Sequence, residues 1–318
     1  MEASGSAEAP SAPESAVLIM SDLWLHRFSI LLAVLTLFLI VAGASVTSNE
    51  AGLSVPDWPL SYGKLMPEMT GGVFYEHGHR MLGAAVGLLT IVLAVWLQLR
   101  DERRWMRRLG WIALAAVSVQ GVLGGLTVLW LLPKPVSIAH ACLAQLFFTL
   151  TVAIAVFTSR AWRQGPEVVE DHGSPSLRTM AVLTAVAMLA QIALGAAYRH
   201  RALGLAPHVI AAFVVLALAL LAAMFALQQF PRHGHLRPAA VALLAIVMGQ
   251  VVLGIAAYVS RIYTTESLQP HPVMVLLTVL HVAGGSLAMA ASGVFSIQIV
   301  RHVRRPLEAA GRELSVVS

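Results

Sequence analysis

The chain contains eight apolar stretches that are each long enough to cross a bilayer, and these stretches limit the folds open to it. A bilayer core needs about 20 apolar residues in a helix. By that measure the predicted helices occupy residues 28–47, 79–98, 109–132, 136–158, 177–197, 207–227, 238–258 and 273–299. Hydrophobic residues fill 58% of the 318 positions and charged residues only 12%, which leaves little sequence for a soluble domain. The predicted fold class is all-α, a polytopic membrane protein.

Arginine and lysine are unequally distributed between the connecting segments. Of these 21 residues, 15 lie on one side of the predicted membrane and six on the other, with the densest cluster at 100–108. Because cytoplasmic segments are enriched in basic residues, both termini are predicted to be cytoplasmic, and even-numbered helices begin at the outer face. The net charge of +5 is thus attributed to topology, and no nucleic-acid partner is predicted. The first twenty residues are acidic and lack arginine, unlike a transit peptide, which favours a bacterial plasma membrane.

A short motif, Q-x-x-L-G, recurs near the outer end of the third, fifth and seventh predicted helices. It occurs at Gln120–Gly124, Gln191–Gly195 and Gln250–Gly254, and the first helix keeps only the glycine, Gly43. The repeat predicts a four-helix unit used twice or a hairpin used four times. We interpret the glutamines as residues that form interhelical hydrogen bonds beside close-packing glycines, although a chemical role stays open.

Each even-numbered predicted helix carries one histidine near its outer end: His79, His140, His208 and His281. A small residue follows each of them four positions later, on the same helix face. Any one of them could be a satisfied core residue, but ionisable residues inside a membrane are costly and usually functional. Imidazole is a common axial ligand of haem iron, and facing helices of a bundle can supply two. Four histidines would make two such haem-iron sites.

A cluster of ionisable residues, Glu76-His77-Gly78-His79-Arg80, stands at the start of the second predicted helix. If the helix extends to Glu76, the carboxylate shares a face with His79. Glu76 could act on a ligand of His79, or it could be a first-turn carboxylate favoured by the helix dipole. Arg80 could contact a haem propionate or a lipid headgroup, or snorkel to the interface. His77 points to another face, and its role stays open.

These residues resemble the haem A synthase family, over nearly the whole membrane region. The sequence carries the family's E-x-x-H-R motif at 76–80, histidines at the family's other positions, and a similar first external loop at 51–60. The resemblance implies two pseudo-symmetric four-helix bundles and an oxidoreductase that oxidises the C8 methyl of haem O to a formyl group, giving haem A for terminal oxidases.

The resemblance also implies a division of the chain. The expected parts are a cytoplasmic tail (1–27), a bundle for the substrate haem (28–160), a cytoplasmic linker (161–176), a bundle for a cofactor haem b (177–300) and a second tail (301–318). It implies that His79 and His140 bind the iron of the substrate, that His208 and His281 bind the iron of haem b, and that Glu76 is catalytic. The implied partners are haem O, delivered by a membrane farnesyltransferase, and an unidentified electron donor or acceptor; a homo-oligomer is compatible with the sequence.

The sequence departs from many bacterial members in the first external loop. Those members have a cysteine pair where this chain has Val55 and Ser61. We therefore expect closure of this loop to depend on Pro56, Trp58, Pro59 and packing.

Two other functions use the same features. A non-catalytic di-haem cytochrome b, which passes electrons to or from quinone, would need the same four histidines but no carboxylate beside a haem. A haem or prenyl-lipid transporter is supported only by the internal repeat.

Overall fold

The computed structural model describes residues 12–306, and it describes side chains from residue 23 onward. Residues 1–11 and 307–318, which are parts of the predicted tails (1–27 and 301–318), lie outside the described residues. The helices are α1 (Ala12–Ser48), α2 (Gly72–Arg100), α3 (Arg104–Leu129), α4 (Lys134–Thr158), α5 (Arg160–Arg163), α6 (Leu177–Arg199), α7 (Ala206–Gln229), α8 (Leu236–Tyr263) and α9 (Pro272–His302).

Eight of the helices in the described part of the chain are long and apolar enough to cross a membrane; α5 is the short exception. Large apolar side chains such as Phe213, Leu221 and Val252 are exposed on their outer surfaces, as expected for a protein solvated by lipid. A helix satisfies its own backbone hydrogen bonds, which lipid cannot do. The predicted fold class, an all-α polytopic membrane protein, is confirmed.

The helix ends differ from the prediction where polar or turn-forming residues stand at the boundary. Helix α1 begins at Ala12, inside the predicted tail, and α2 begins at Gly72, seven residues earlier than predicted. Helix α3 ends at Leu129, three residues earlier, because Leu131 and Leu132 adopt positive φ angles of 56° and 60°, which a right-handed helix does not allow.

The membrane helices form two rings of four neighbours. In the first ring α1 contacts α2, α2 contacts α3, α3 contacts α4, and α4 returns to α1; helices α6, α7, α8 and α9 repeat this order. The rings meet where α9 contacts α1 and α4, and where α4 contacts α6. The predicted domain boundaries and pseudo-symmetry stay predictions.

Each ring has an apolar core. The first core contains Leu32, Leu93 and Phe147, and the second contains Leu243, Phe295 and the alanines of α7. A smaller cluster of Ile40, Phe148 and Ala290 joins the rings. Alanines let α7 pack closely against its neighbours.

Polar contacts hold the segments at the predicted cytoplasmic end. Nε and Nη2 of Arg103 donate hydrogen bonds to the Asp101 carboxylate at 2.9 and 2.7 Å. Nη1 of Arg103 donates to the Phe157 carbonyl oxygen on α4. Burial raises the pKa of the Asp101 carboxyl, but the hydrogen bonds and charge of Arg103 outweigh it, so this pKa lies below its ordinary value. The α2–α3 turn is thereby fixed to α4.

The linker between the rings is attached to the end of α9. Strand β1 (Val169–Glu170) pairs in parallel with strand β2 (Val303–Arg304). The buried imidazoles of His233 and His302 lie 3.1 and 2.9 Å from the Glu167 carbonyl oxygen. These contacts place the linker against the second ring.

Candidate haem-binding site

The four predicted histidines occupy equivalent places in the four long hairpins. His79 lies on α2, His140 on α4, His208 on α7 and His281 on α9, and each side chain is half-buried. Helices α4, α7 and α9 each have a proline in their first turn. That position suits proline because the missing N–H has no partner in the helix. Each of these three helices therefore begins within three turns before its histidine.

Each imidazole packs against a glycine of the helix that precedes it in the chain. The pairs are Gly43 with His79, Gly124 with His140, Gly195 with His208 and Gly254 with His281. A β-carbon added to these glycines would lie 2.8, 3.2, 2.8 and 2.9 Å, respectively, from Cε1 of the ring. The glycines therefore provide the space into which the rings fit. This role was not predicted, although the Q-x-x-L-G repeat and Gly43 mark all four glycines in the sequence.

The repeated glutamines support three of these four hairpins. Nε2 of Gln120, Gln191 and Gln250 donates to the backbone carbonyl oxygen of His140, His208 and His281, respectively, at 2.9 Å in each case. The predicted interhelical hydrogen bonds are confirmed. The first hairpin has Leu39 at the equivalent position, so the backbone of His79 lacks this support.

The geometry of His208 and His281 fits two axial ligands of one haem iron. Their ring centroids lie 6.2 Å apart, with planes at 88°. An imidazole nitrogen binds a transition metal at about 2.0–2.1 Å, so two rings on opposite sides of one ion have centroids about 6 Å apart. Nδ1 of His208 lies 3.3 Å from the Gln191 carbonyl oxygen. Donation to a carbonyl from Nδ1 would leave Nε2 available for iron, which is the usual arrangement of a metal-binding histidine.

His79 and His140 form the corresponding pair in the first ring. Nδ1 of both rings is buried without a hydrogen-bond partner in the described part of the chain. Each imidazole is seated against a glycine, which leaves room for a flat ligand beside the ring, and the assignment of this pair to the substrate stays a prediction.

Glu76 lies on α2 and shares a face with Arg80 rather than standing free beside His79. The Glu76 side chain is 5% exposed. Oε1 accepts a hydrogen bond from Arg80 Nη2 at 2.6 Å, and Oε2 accepts one from the Val55 backbone N–H at 3.0 Å. The extension of α2 to Glu76 is confirmed, but both carboxylate oxygens point to groups that hold the first external loop.

Arg80 binds the same loop from the other side. Its Nη1 donates to the carbonyl oxygens of Asp57 and Leu60 at 2.7 and 2.8 Å, and Nη2 lies 3.4 Å from the Val55 carbonyl oxygen. A guanidinium with its fixed fork of donors can order several backbone carbonyls at once. The predicted contact of Arg80 with a propionate or headgroup stays a prediction.

His77 binds the loop at the second of the two cysteine-replacing positions. Its Nδ1 lies 2.8 Å from Ser61 Oγ, and both side chains are buried. Val55, at the first position, is also fully buried. The expectation that the loop closes through prolines, Trp58 and packing was therefore incomplete, because Glu76, His77 and Arg80 bind both replaced positions through hydrogen bonds.

The loop also has internal order. The Asp57 carboxylate accepts from the backbone N–H groups of Gly63 and Tyr62 at 2.8 and 2.7 Å. The hydrogen bond from Gly63 is the main reason that the pKa of Asp57 lies below its ordinary value. Tyr62 Oη donates to the Ser54 carbonyl oxygen at 2.5 Å. These bonds make 54–63 a compact unit.

Trp58 carries this unit onto the first ring. Its indole packs so closely on Gly125 of α3 that an added β-carbon would lie 2.7 Å from Cδ2. The preceding residue, Gly124, is the one that seats His140. The loop therefore covers α3 next to one histidine and is anchored on α2 next to the other, His79.

Comparison with known proteins gives matches to one family. Residues 68–208 match the family model described as cytochrome oxidase assembly protein. The chain is 32% identical to the haem A synthase of Symbiobacterium thermophilum over 169 residues and 30% identical to that of Beijerinckia indica over 199 residues. Both alignments cover 52% of this chain and 55% of the relative, so the chain spans about half the length of these curated relatives. These matches confirm the resemblance predicted from the motifs: the chain is similar to haem A synthases over about half of its length.

Proposed function

We propose that the protein is a haem A synthase, an oxidoreductase that oxidises the C8 methyl group of haem O to a formyl group. The observation that carries this proposal is the pair of His208 and His281, whose rings have the spacing of a bis-histidine haem site; His79 and His140 occupy the corresponding glycine-lined positions in the first ring. One pair would hold a resident haem b and the other the substrate. The haem O supply, for which a membrane farnesyltransferase is the proposed source, and the electron partner lie outside the chain.

The two pairs would have different tasks. His208 and His281 would hold haem b, which supplies one-electron redox chemistry when bound. His79 and His140 would orient haem O, and the loop at 54–63 would exclude water from the outer end of that pair. Water exclusion strengthens the electrostatic interactions inside a site.

Glu76 supports this function as a positioning residue. Its charge is balanced by Arg80, and its second oxygen orders the Val55 amide. Direct action of Glu76 on the methyl carbon, as the resemblance implies, stays a prediction: each carboxylate oxygen can accept a further hydrogen bond, so the anchored group is still able to receive one from a substrate.

One observation favours a second candidate, a di-haem electron carrier. If both oxygens of Glu76 serve only the loop, then the substrate pair lacks a reactive carboxylate and resembles the cofactor pair. A carrier would bind haem b at both pairs. A synthase would bind haem b at one pair and haem O or its oxidation products at the other.

We also propose the orientation implied by the basic residues, with both termini in the cytoplasm of a bacterial cell and the loop at 54–63 outside. Reporter fusions at Lys64 and within the 100–108 segment test this orientation. A reporter that is active only on the extracytoplasmic side should be active when fused at Lys64 and inactive when fused at 100–108. The opposite pattern would refute the proposal.

The haem b assignment is tested by removing its ligands one at a time. His281→Ala in the purified protein should abolish the low-spin haem b absorption bands, because the iron would lose one axial nitrogen. His172→Ala is the matched control, since His172 lies in the linker with a side chain that is 73% exposed. A normal low-spin spectrum in His281→Ala would refute the assignment.

A further inference from the structure

Arg199 is the last residue of α6, in the second ring, and its side chain contacts α1 in the first ring. Its Nη2 donates to the Ala44 carbonyl oxygen at 2.7 Å and to Ser48 Oγ at 2.8 Å, both on α1. Its Nη1 is buried and has no hydrogen-bond partner among the side chains and backbone described between residues 23 and 306. A buried guanidinium with neutral partners on one side and none on the other is an incomplete anion site, because an unpaired buried charge is costly.

The position of Arg199 connects the two histidine pairs. Gly195, one turn before Arg199 on α6, accommodates the ring of His208. Ala44, whose carbonyl oxygen Arg199 binds, follows Gly43, which accommodates the ring of His79. The end of α6 therefore lies between the proposed cofactor pair and the proposed substrate pair.

We propose that Arg199 binds a carboxylate, and that this carboxylate is a propionate of the haem held by His208 and His281. This inference depends on the proposed haem b site. The chemistry of the donor indicates the ligand, because a planar guanidinium with a free Nη1 matches a carboxylate. A haem bound by His208, whose ring packs against Gly195 one turn before Arg199, is the proposed source of that carboxylate. A lipid phosphate at the outer face has related chemistry and is the competing source.

Arg199 would then act on the haem as well as on the fold. A positive charge beside the haem, paired with an otherwise negative propionate, favours the reduced iron because reduction adds an electron. Removing the cation should therefore lower the reduction potential. The contacts with Ala44 and Ser48 would hold the guanidinium in place when the haem is oxidised and reduced.

The experiment compares Arg199→Gln with Arg201→Gln, which removes a neighbouring exposed arginine. Midpoint potentials of haem b are measured in the purified proteins, in lipid-free detergent and in nanodiscs that contain an anionic phospholipid. We expect Arg199→Gln to keep the low-spin spectrum and to shift the reduction equilibrium at least tenfold toward the oxidised form, which is about 59 mV for one electron. Arg201→Gln should match the wild type in both media.

Two results would overturn the proposal. An unchanged potential in Arg199→Gln would mean that the residue is only a clamp between α6 and α1. A shift that occurs only with anionic lipid would assign the free donor to a phosphate. Absence of low-spin haem b from the wild-type protein would instead refute the proposed function itself.

A second variant covers the case in which Arg199→Gln does not fold. Arg199→Lys keeps the positive charge but loses the planar, forked set of guanidinium N–H donors. With haem carrying ¹³C-labelled propionates, the redox-induced infrared difference spectrum of Arg199→Lys should show a shifted carboxylate band relative to the wild type. Identical label-sensitive bands in the two proteins would contradict a propionate contact.

Discussion

Replacing Glu76 by glutamine should release the first external loop from α2. Glutamine can still accept the Val55 amide hydrogen bond, but its NH₂ group would then face Arg80 Nη2, which is also a donor. The 2.6 Å bond between opposite charges is lost. A hydrogen bond to a charged group contributes about 1.5–3 kcal/mol, and every 1.4 kcal/mol is about a factor of ten. This bond lies within α2 and acts on the loop by orienting Arg80 toward the loop carbonyl oxygens, so its loss sets an upper limit. We therefore expect the population of the open loop to rise, by at most roughly 10- to 150-fold.

Trypsin cleavage after Lys64 measures this opening. Lys64 is exposed, but its backbone N–H and carbonyl oxygen pair with Ser61 at 3.0 Å each, so the segment must open before it fits a protease. When opening and closing are fast relative to cleavage, the cleavage rate follows the open population. Mass spectrometry identifies the fragments cut between Lys64 and Leu65 and distinguishes them from fragments cut after the arginines at 100–108.

Glu68→Gln is the matched control, because Glu68 is an exposed carboxylate of the same loop. It should be cleaved at the wild-type rate. If Glu76→Gln is also cleaved at that rate, then Glu76 does not anchor the loop and its interpretation as a positioning residue fails.

Three further changes test other parts of the structure. Gly254→Ala would place a β-carbon 2.9 Å from Cε1 of His281, so its low-spin haem b band should shift or weaken in the absorption spectrum. Gly249→Ala on the same helix meets nothing within 4 Å and should leave that spectrum unchanged. Ser61→Ala removes a buried hydrogen bond worth about 1 kcal/mol and should raise cleavage after Lys64 about fivefold; an unchanged rate would contradict its role. Because the pKa of Asp101 is lower in the folded protein than in the unfolded chain, its contribution to stability is present at neutral pH and is lost as the pH falls below about 3.9. Asp101→Asn should therefore flatten the acid side of a plot of melting temperature against pH, and a variant as acid-sensitive as the wild type would contradict this.

The membrane helices were predictable because length and hydropathy alone determine which segments can span a bilayer. Their ends were less predictable where chemistry interrupts the apolar run. Glu76, His77, His79 and Arg80 ended the apolar stretch, although the backbone of α2 continues to Gly72. Hydropathy reports side chains, whereas the helix depends on backbone hydrogen bonds that polar residues make equally well.

The histidines of the candidate site were also predictable, because the repeat placed one on each even-numbered membrane helix. The glycines against which the histidine rings pack were not predictable. Helix periodicity shows which residues share a face, but it does not show which neighbouring helix that face meets. Gly195 and His208 belong to different helices, and only the packing of α6 on α7 reveals that one accommodates the other.

The role of the E-x-x-H-R motif was the hardest part to predict. Its contacts reach back 16 residues from His77 to Ser61 and 21 residues from Glu76 to Val55. Such contacts have no signature in local spacing. The motif was predicted to act on a haem. In the structure, Glu76 and Arg80 form hydrogen bonds with the loop that covers the site.

Pigment analysis of the purified protein tests the central claim most directly. The protein is produced in a cell that makes haem O, its haems are extracted with acidified solvent, and they are separated by chromatography with mass detection. We expect haem b together with haem O, haem A or a hydroxylated form between them. His79→Ala should retain haem b and lose the haem O, haem A and hydroxylated forms. Two equivalents of haem b and no modified haem in the wild-type protein would contradict the account and identify the protein as an electron carrier.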